Sequence, residues 1–243
     1  MPSPVEKAVT FRDGSSALVA DLKSRLAVIV THPWGPLGGN MYNNVVVAVV
    51  LYFQRLGITT TRFNFTGSQI GRGHAQVKQV QDVAASLLSG ELCNENDDSD
   101  QTVKPTHILL VGYSYGSLIT ASASAGIPNC IGTVSIAPPF GVQHWLLVFN
   151  SDYHLQQAAA RDGLARLFLI GSRDNFTSET KFKSIIDERF PSATGAILKD
   201  ADHFFARREK DVMDVVGERL LRTFPQCQGG LAKLRDVDFE TAL

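Results

Sequence analysis

The chain has 243 residues with a formal net charge of −1; 44% of its residues are hydrophobic and 19% are charged. This length fits one α/β domain, residues 1–243, and leaves little room for a second. The composition is that of an ordinary globular protein, and the near-zero charge argues against a nucleic-acid partner or another polyanion.

Neither end of the chain carries a recognised targeting signal. Residues 1–7 lack the apolar core of a secretory signal, and residues 240–243 match no retention, peroxisomal or prenylation signal. The longest apolar run, residues 45–53, is about half as long as a membrane span requires. We therefore expect a cytoplasmic protein without a membrane span.

Cysteine usage agrees with a reducing compartment. The three cysteines are odd in number, far apart and without Cys-x-x-Cys spacing: Cys93, Cys130 and Cys227. This pattern argues against a disulfide framework and against a zinc site. The acidic residues of 91–102 do not have the spacing of a calcium loop. We expect no metal site.

The first thirty residues predict three strands. Residues 8–11 and 17–22 are short apolar runs joined by an Asp13-Gly14 turn, which is typical of a β-hairpin. Residues 26–30 form a continuous apolar run, as expected of a strand buried on both faces. This strand ends at residues 32–39, where two prolines and three glycines predict a loop of fixed geometry.

Helix and strand alternate in the next segment. Residues 41–55 are rich in valine, which favours a strand, but a crossover is needed before the alternating strand of residues 59–65, so we predict a helix. After a loop at residues 67–73, apolar residues recur at helical spacing as far as residue 88. An acidic surface loop is predicted at residues 91–105.

The second half of the chain continues this alternation. Strands are predicted at residues 108–111, 131–136, 167–170 and 196–198, and helices at 117–125, 178–190 and 209–224. Residues 140–165 are irregular and aromatic, with one helical turn at 156–161, and predict a short cap-like segment. The tail after Pro225 is expected to be loose. The predicted fold class is α/β, a mostly parallel sheet with helices on both faces.

One serine stands at the turn between a predicted strand and a predicted helix. Gly112-Tyr113-Ser114-Tyr115-Gly116 fits the Gly-x-Ser-x-Gly pattern of a nucleophile elbow. In such an elbow the glycines leave room for a sharp turn that raises the serine oxygen above the sheet. The pattern alone arises by chance in roughly one chain in ten of this length, and a glycine-rich turn with a solvated serine is the alternative.

Candidate catalytic groups follow three of the predicted strands. Ser114 follows one strand, Asp174 a later one and His203 the last. In parallel sheets, ligands collect at the carboxyl ends of the strands. The chain order Ser, Asp, His is that of α/β-hydrolases and differs from the chymotrypsin and subtilisin orders. Asp200 and Asp202 are alternatives for the acid, although a loop adjoining His203 would have to fold back on itself.

Three further motifs carry a resemblance to a known group of proteins. They are His32-Pro33 followed by Gly38-Gly39, Arg62-Phe63-Asn64-Phe65-Thr66-Gly67, and Asp202-His203-Phe204-Phe205. With the serine elbow, they make residues 26–224 resemble the compact hydrolases of the α/β-hydrolase superfamily, and more distantly the dienelactone hydrolases and acyl peptidases. Two features depart from that pattern: Thr66 stands where arginine is expected, and the acidic insert at 91–102 has no counterpart in it.

The resemblance implies the α/β-hydrolase fold with a minimal cap, and it implies a role for each candidate residue. Ser114 would be the nucleophile and His203 the general base that activates it. Asp174 would hold the imidazole in the required tautomer. The backbone N–H groups of Trp34 and Tyr115 would form the oxyanion hole.

The substrate pocket is harder to place from sequence. The aromatic residues between 140 and 153 are either plain core or a wall facing the substrate. Trp34, Phe140 and Trp145 are the candidate pocket residues. His32 is expected to be structural, bonding within its own loop, and not catalytic.

These patterns together predict a serine hydrolase that cleaves a small-molecule carboxylic ester or thioester through an acyl-enzyme, without metal or organic cofactor. An amidase or peptidase is one alternative, and a non-catalytic receptor that binds a ligand in the same pocket is another. Serine at the elbow disfavours a haloalkane dehalogenase, which would need aspartate there. The natural substrate and the oligomeric state do not follow from the sequence.

Overall fold

The computed structural model describes residues 6–10, 15–91, 103–227, 229–237 and 239. The predicted turn at Asp13-Gly14 lies outside the described residues, as does the predicted acidic loop from residue 92 to residue 102.

Eight strands within the described residues form one twisted layer. They are β1 (Lys7–Thr10), β2 (Ser16–Ala20), β3 (Leu26–Thr31), β4 (Thr59–Phe63), β5 (His107–Tyr113), β6 (Cys130–Ile136), β7 (Ala165–Gly171) and β8 (Thr194–Leu198). Their order across the sheet is β1-β2-β4-β3-β5-β6-β7-β8. The β1–β2 and β2–β4 pairs are antiparallel, and every pair from β4–β3 to β7–β8 is parallel. The predicted, mostly parallel sheet is confirmed.

The central strand β5 shows why these apolar runs become strands. All of its residues are buried. Ile108 and Leu110 pack into the core on one face of the sheet, while Leu109 and Val111 pack into the core on the other. Since successive side chains of a strand point to opposite faces, a strand covered on both sides needs apolar residues at every position.

Helices cover both faces. They are α1 (Asn44–Arg55), α2 (His74–Ser89), α3 (Tyr115–Ala123), α4 (Gln143–Leu146), α5 (Ser151–Ala159), α6 (Glu179–Arg189) and α7 (Glu209–Thr223). Apolar residues of α2, α3, α5 and α6 belong to one core, and those of α1 and α7 belong to the other. This is the layered arrangement that the alternation of elements predicts.

The valine-rich segment is a helix, as predicted against its propensity. Val45, Val46, Val49, Val50 and Phe53 of α1 are buried, and their spacing follows one face of a helix. The crossover between the parallel strands β3 and β4 requires a connection of this length. Tertiary packing therefore decides a segment whose β-branched residues favour a strand.

Two parts of the chain are more ordered than the sequence indicates. Between residues 140 and 165 the structure has two helices, α4 and α5, where only a turn at 156–161 was expected. The described part of the tail is not loose: Cys227, Leu234 and Phe239 are fully buried in the core beside α7. Isolated apolar residues in a segment with few of them have no periodicity, so the pattern did not reveal their packing.

The carboxyl ends of β3, β5, β7 and β8 lie along the same edge of the sheet, because these strands are parallel. Ser114, Asp174 and His203 follow three of them. Across the described portion of the chain, no helix combines the length and the apolar character that crossing a membrane requires.

Candidate active site

Ser114 stands at a strained turn between β5 and α3. Its backbone has φ 54° and ψ −123°, a conformation that residues with a Cβ rarely adopt. The two flanking glycines are required by close contact. A Cβ on Gly112 would lie 2.4 Å from Thr120 Oγ1, and a Cβ on Gly116 would lie 2.5 Å from Thr31 Oγ1. The local sequence thus has the small residues that this turn demands, as in a nucleophile elbow.

The structure brings the three candidate catalytic side chains together. Nε2 of His203 lies 2.9 Å from Oγ of Ser114. Nδ1 of the same ring lies 2.8 Å from Oδ2 of Asp174. With a proton on Nδ1, which donates to the carboxylate, Nε2 is free to accept the proton of the serine hydroxyl. Such a chain of hydrogen bonds can convert a hydroxyl into a nucleophile.

Asp174 is held in place by its second oxygen. Oδ1 accepts hydrogen bonds from the backbone N–H groups of Phe176, at 2.8 Å, and Thr177, at 3.0 Å. Thr177 is itself tied to the carbonyl of Pro138 through its hydroxyl. These bonds leave Oδ2 for His203. The carboxylate therefore orients the imidazole from a fixed position.

The two alternative acids are occupied elsewhere. Oδ1 of Asp200 pairs with the guanidinium of Arg173 at 2.6 Å, on the surface. Oδ1 of Asp202 accepts from the backbone N–H groups of Phe204 and Phe205, so it closes the turn beside His203. The geometry favours Asp174 as the partner of the imidazole.

The imidazole of His203 is packed among aromatic rings. The ring of Phe176 lies 4.4 Å away between centroids, and that of Tyr113 lies 6.0 Å away. Tyr113 also donates its hydroxyl to the carbonyl of His203 at 3.1 Å. Burial, with help from nearby carboxylates, raises the pKa of Tyr113, so this phenol stays neutral and keeps its proton.

Two loops at this edge of the sheet carry the amides that the sequence singled out. Residues 32–39, which we term the β3 loop, contain Trp34. Residues 64–73, the β4 loop, contact it. Gly35 donates its N–H to Oε1 of Gln69 at 2.7 Å, so that amide is occupied. Within the described residues, the N–H groups of Trp34 and Tyr115 have no acceptor. Both remain available to a negatively charged oxygen.

His32 is part of the scaffold of the β3 loop. Its Nε2 accepts from the backbone N–H of Phe65 at 2.9 Å, so its Nδ1 carries the proton that it donates to the carbonyl of Pro33. Burial lowers the pKa of His32 to about 4. A neutral histidine with both nitrogens committed agrees with the structural role expected of it.

The Arg-Phe-Asn-Phe motif also supports this loop. Oδ1 of Asn64 accepts from the backbone N–H of Met41, and the guanidinium of Arg62 donates to the Met41 carbonyl. Phe65 supplies the N–H that His32 accepts. These contacts link the end of β4 to His32, the first residue of the β3 loop, and to Met41, just after that loop. The motif was visible in the sequence, but its structural purpose was not.

A cavity of about 340 Å³ opens beside Ser114 and His203. Its apolar side chains come from four separate segments: Trp34, Leu37, Val142, Leu146, Phe176 and Phe204. Of the three predicted pocket residues, only Trp34 lines it. Phe140 is instead buried in the core against Phe168 and Phe182.

Trp145 is also absent from the cavity lining. It is 75% exposed, and its ring lies tilted against that of Phe149, 5.5 Å away between centroids. Leu146 is the last residue of the short helix α4, and Val142 is the residue just before this helix. The two stand four positions apart, so they lie on the same side and line the cavity while Trp145 does not. Helical phase, which an irregular sequence does not reveal, decides which of these residues are available to a substrate.

A metal would need several ligating side chains close together. In the part of the chain that the structure describes, no group of three or more His, Cys, Asp or Glu side chains has that arrangement. Cys130 and Cys227 are both buried and free. Burial raises the pKa of Cys130 to about 11, so this thiol is unreactive.

Solved structures with a similar fold come from several bacteria and an archaeon. An α/β serine hydrolase homologue from Coxiella burnetii is 19% identical with a TM-score of 0.68, and the match covers 90% of this chain and 99% of that one. A serine hydrolase without a lid from Xanthomonas campestris is 24% identical with a TM-score of 0.68, covering 91% and 96%. An esterase from Pyrococcus furiosus is 15% identical with a TM-score of 0.67, covering 89% and 91%.

At these identities the likeness concerns the fold alone. No protein-family model matches the sequence, and no curated protein is similar enough in sequence to count as a relative.

Proposed function

We propose that this chain, which has the α/β-hydrolase fold, is a serine hydrolase that cleaves a carboxylic ester or thioester through an acyl-enzyme. The single observation that carries the proposal is the continuous hydrogen-bond chain from Ser114 Oγ through both nitrogens of His203 to Asp174. The 2.9 Å between Nε2 and Oγ is the distance of a general base in reach of its nucleophile, and the 2.8 Å between Nδ1 and Asp174 is that of the hydrogen bond that orients the base.

The proposed reaction has two halves. In the first, His203 Nε2 takes the proton of Ser114 as Oγ attacks the carbonyl carbon, and the carbonyl oxygen becomes an oxyanion facing the N–H groups of Trp34 and Tyr115. The imidazolium, stabilised by Asp174, then protonates the leaving alcohol or thiol as its bond to carbon breaks. In the second half, water attacks the acyl carbon while His203 Nε2 takes a proton from it, and the imidazolium returns that proton to Ser114 Oγ as the bond between Oγ and the acyl carbon breaks and the carboxylic acid leaves.

The similar structures agree with this chemistry. They are a serine hydrolase homologue, a serine hydrolase without a lid and an esterase. Since the likeness to each is one of fold, they support the reaction type only together with the geometry at Ser114. The open cavity and the small α4–α5 segment suit a small-molecule substrate.

A fluorophosphonate probe tests the proposal directly, because it labels an activated serine. The wild type should label stoichiometrically, and Ser114→Ala and His203→Ala should not. Hydrolysis of p-nitrophenyl esters should fall by as much as ~10⁶ in Ser114→Ala if the three residues act as a unit. Ser184→Ala, at a partly exposed position of α6 where the hydroxyl bonds only Glu188 among the described contacts, is the matched control and should behave like the wild type.

The same experiment separates the alternatives. A folded wild type that neither labels nor cleaves any ester or amide would overturn the proposed hydrolase function and favour a non-catalytic receptor. Labelling with amide turnover faster than ester turnover would favour an amidase or peptidase.

A further inference from the structure

We propose that the substrate is an uncharged ester or thioester with apolar groups around the scissile carbonyl. This inference rests on the proposed hydrolase function and concerns the same cavity. That cavity is lined by apolar side chains from the β3 loop, from α4 and from the segments that carry Asp174 and His203. None of its described lining residues is Asp, Glu, Lys or Arg.

Apart from Ser114 and His203, each polar side chain that lines the cavity makes at least one hydrogen bond to the protein. Asn44 donates to the carbonyl of Phe204 at 3.0 Å and to Oε1 of Glu209 at 2.8 Å. Oδ1 of Asn43 accepts from the Asn40 N–H. Trp34 donates its indole N–H to the carbonyl of Gln69. The Tyr113 hydroxyl donates to the carbonyl of His203. The cavity wall thus offers no cation to a substrate anion.

An ionised group that enters such a cavity loses its water without gaining a counter-ion, which is costly. Apolar groups have the opposite preference, since the lining removes their surface from water. The rim of the cavity also favours apolar groups, because two exposed apolar side chains lie at its mouth: Leu37, which is 73% exposed, and Phe204, which is 55% exposed. A hydrocarbon group longer than the cavity can therefore continue across an apolar rim.

Two esters of matched length and leaving group test this inference: p-nitrophenyl pentanoate and the mono-p-nitrophenyl ester of glutaric acid. They differ in a terminal methyl against a terminal carboxylate. We expect kcat/KM for the anionic ester to be lower by about 100-fold or more, the factor that burying an unpaired charge imposes. Comparable values for the two esters, or faster cleavage of the anionic one, would overturn the inference while leaving the hydrolase function standing.

Charged variants test the same point from the protein side. Leu146→Lys and Leu37→Lys each place an ammonium group at the cavity and should raise the relative kcat/KM for the anionic ester about tenfold. Leu221→Lys makes the same change on α7, away from the cavity, and should leave the ratio unchanged. An unchanged ratio in both cavity variants contradicts the inference. If the wild type cleaves neither ester and resists the fluorophosphonate, the proposed function fails and this inference with it.

A separate set of contacts points to a positioning residue outside the catalytic chain. We infer that Gln69 orients the β3 loop so that the Trp34 N–H faces the reacting oxygen. Its side-chain Oε1 accepts from the Gly35 N–H at 2.7 Å, and its backbone carbonyl accepts from the Trp34 indole at 2.9 Å. On the other side of Trp34, the Pro33 carbonyl accepts from His32. Both peptide units that flank Trp34 are therefore held.

Gln69 can hold this loop because its own loop is anchored. Gln76 of α2 is buried and donates to the carbonyls of Thr66 and Ser68. Gln79, one turn further along, accepts from the Thr66 N–H. The β4 loop is thus fixed to α2, and the hydrogen bonds of Gln69 fix the β3 loop to the β4 loop. A donor that is already aimed at the oxyanion needs no reorganisation during the reaction.

A double-mutant cycle tests this role. Gln69→Ala removes the acceptor, and Gly35→Ala disturbs the same contact because its Cβ would lie 2.5 Å from Nε2 of Gln69. Each should lower kcat about tenfold with KM within about twofold of the wild type, the split that loss of transition-state stabilisation predicts. The double variant should be no worse than Gln69→Ala, since the two changes act on one contact.

Inhibition by a trifluoromethyl ketone, which forms an oxyanion on Ser114, should weaken by the same factor as kcat. Gln156→Ala, on the exposed side of α5, is the matched control. A kcat within twofold of the wild type in folded Gln69→Ala, or additive effects in the cycle, would contradict the assignment. A change confined to the melting temperature would do the same, because it would leave Gln69 a purely structural residue.

Discussion

Asp174 and His203 are joined by a 2.8 Å hydrogen bond although 29 residues separate them in the chain. Their strands, β7 and β8, are parallel neighbours in the sheet, so the segments after them emerge side by side. Both side chains are buried, at 0% and 5% exposure. Sheet register, and not local sequence, brings this carboxylate to this imidazole, whereas the nearer Asp202 closes a turn.

The first prediction concerns Asp174→Asn. Asparagine can still accept from Phe176 and Thr177 through Oδ1, but its amide would then present N–H groups to Nδ1 of His203. The imidazole would take the opposite tautomer, whose Nε2 cannot accept the serine proton, and kcat should fall by about 10⁴. Asp202→Asn keeps the acceptor for its own turn and should retain activity within a few fold. Ester hydrolysis of the folded variants decides this, and equal losses in both would contradict the assignment of Asp174.

Gly116→Ala should destabilise the protein by about 1–3 kcal/mol, because overpacking at a rigid site forces backbone shifts. The added Cβ would lie 2.6 Å from the backbone carbonyl of His32, which cannot move aside as a flexible side chain could. Gly71→Ala is the control, since a Cβ there meets nothing within 4 Å. Urea denaturation compares the two. A free energy of unfolding for Gly116→Ala equal to that of Gly71→Ala would show that the elbow is looser than described.

A pH dependence follows from the buried His32. Its pKa is lowered to about 4 in the folded protein, against an ordinary value of 6.5. Between pH 6.5 and pH 4, His32 binds a proton in the unfolded chain but not in the folded protein. The free energy of unfolding therefore has its full contribution from His32 above pH 6.5 and decreases as the pH falls towards 4. The contribution is about 3 kcal/mol across this window.

Urea denaturation at pH 7 and pH 4.5 measures this effect in the wild type and in His32→Gln. The variant should lose less stability between the two pH values, because glutamine does not titrate. His154, whose pKa is also lowered by burial, remains in both proteins and so cancels in the comparison. Parallel losses in the two proteins would show that His32 does not titrate as described.

The tail supplies the fourth prediction. Leu234 is fully buried in the core beside α7, and the carbonyl of Arg235 accepts from the Arg25 N–H just before β3. Leu234→Ala should therefore cost about 2–5 kcal/mol, as for other buried leucines. Leu221→Ala removes a side chain that is 40% exposed and should cost much less. Thermal unfolding distinguishes them, and equal melting temperatures would mean that the tail contributes little to the fold.

Much of the architecture was predictable because its signals are local. Continuous apolar runs such as residues 26–30 indicate buried strands, and the apolar residues of α7 recur at helical spacing. The valines of α1 conflict with their propensity, and only the need for a crossover indicated a helix. The α4–α5 segment and the tail have no clear hydrophobic periodicity. Their structure depends on packing against the core, which the sequence pattern does not reveal.

By itself, the sequence determined the α/β fold, the serine at a strand-to-helix turn and the order of the candidate catalytic residues along the chain. Those features depend on local runs, on glycines beside Ser114 and on the rule that parallel strands end together. Only the tertiary structure decided that Phe140 and Trp145 stand away from the cavity while Leu37, Val142, Leu146, Phe176 and Phe204 line it. It also decided that the side chain of Gln69 accepts a hydrogen bond from the N–H of Gly35, although the two residues are 34 positions apart in the chain. Helical phase and contacts between distant loops are set by packing in three dimensions, and no local pattern of residues encodes them.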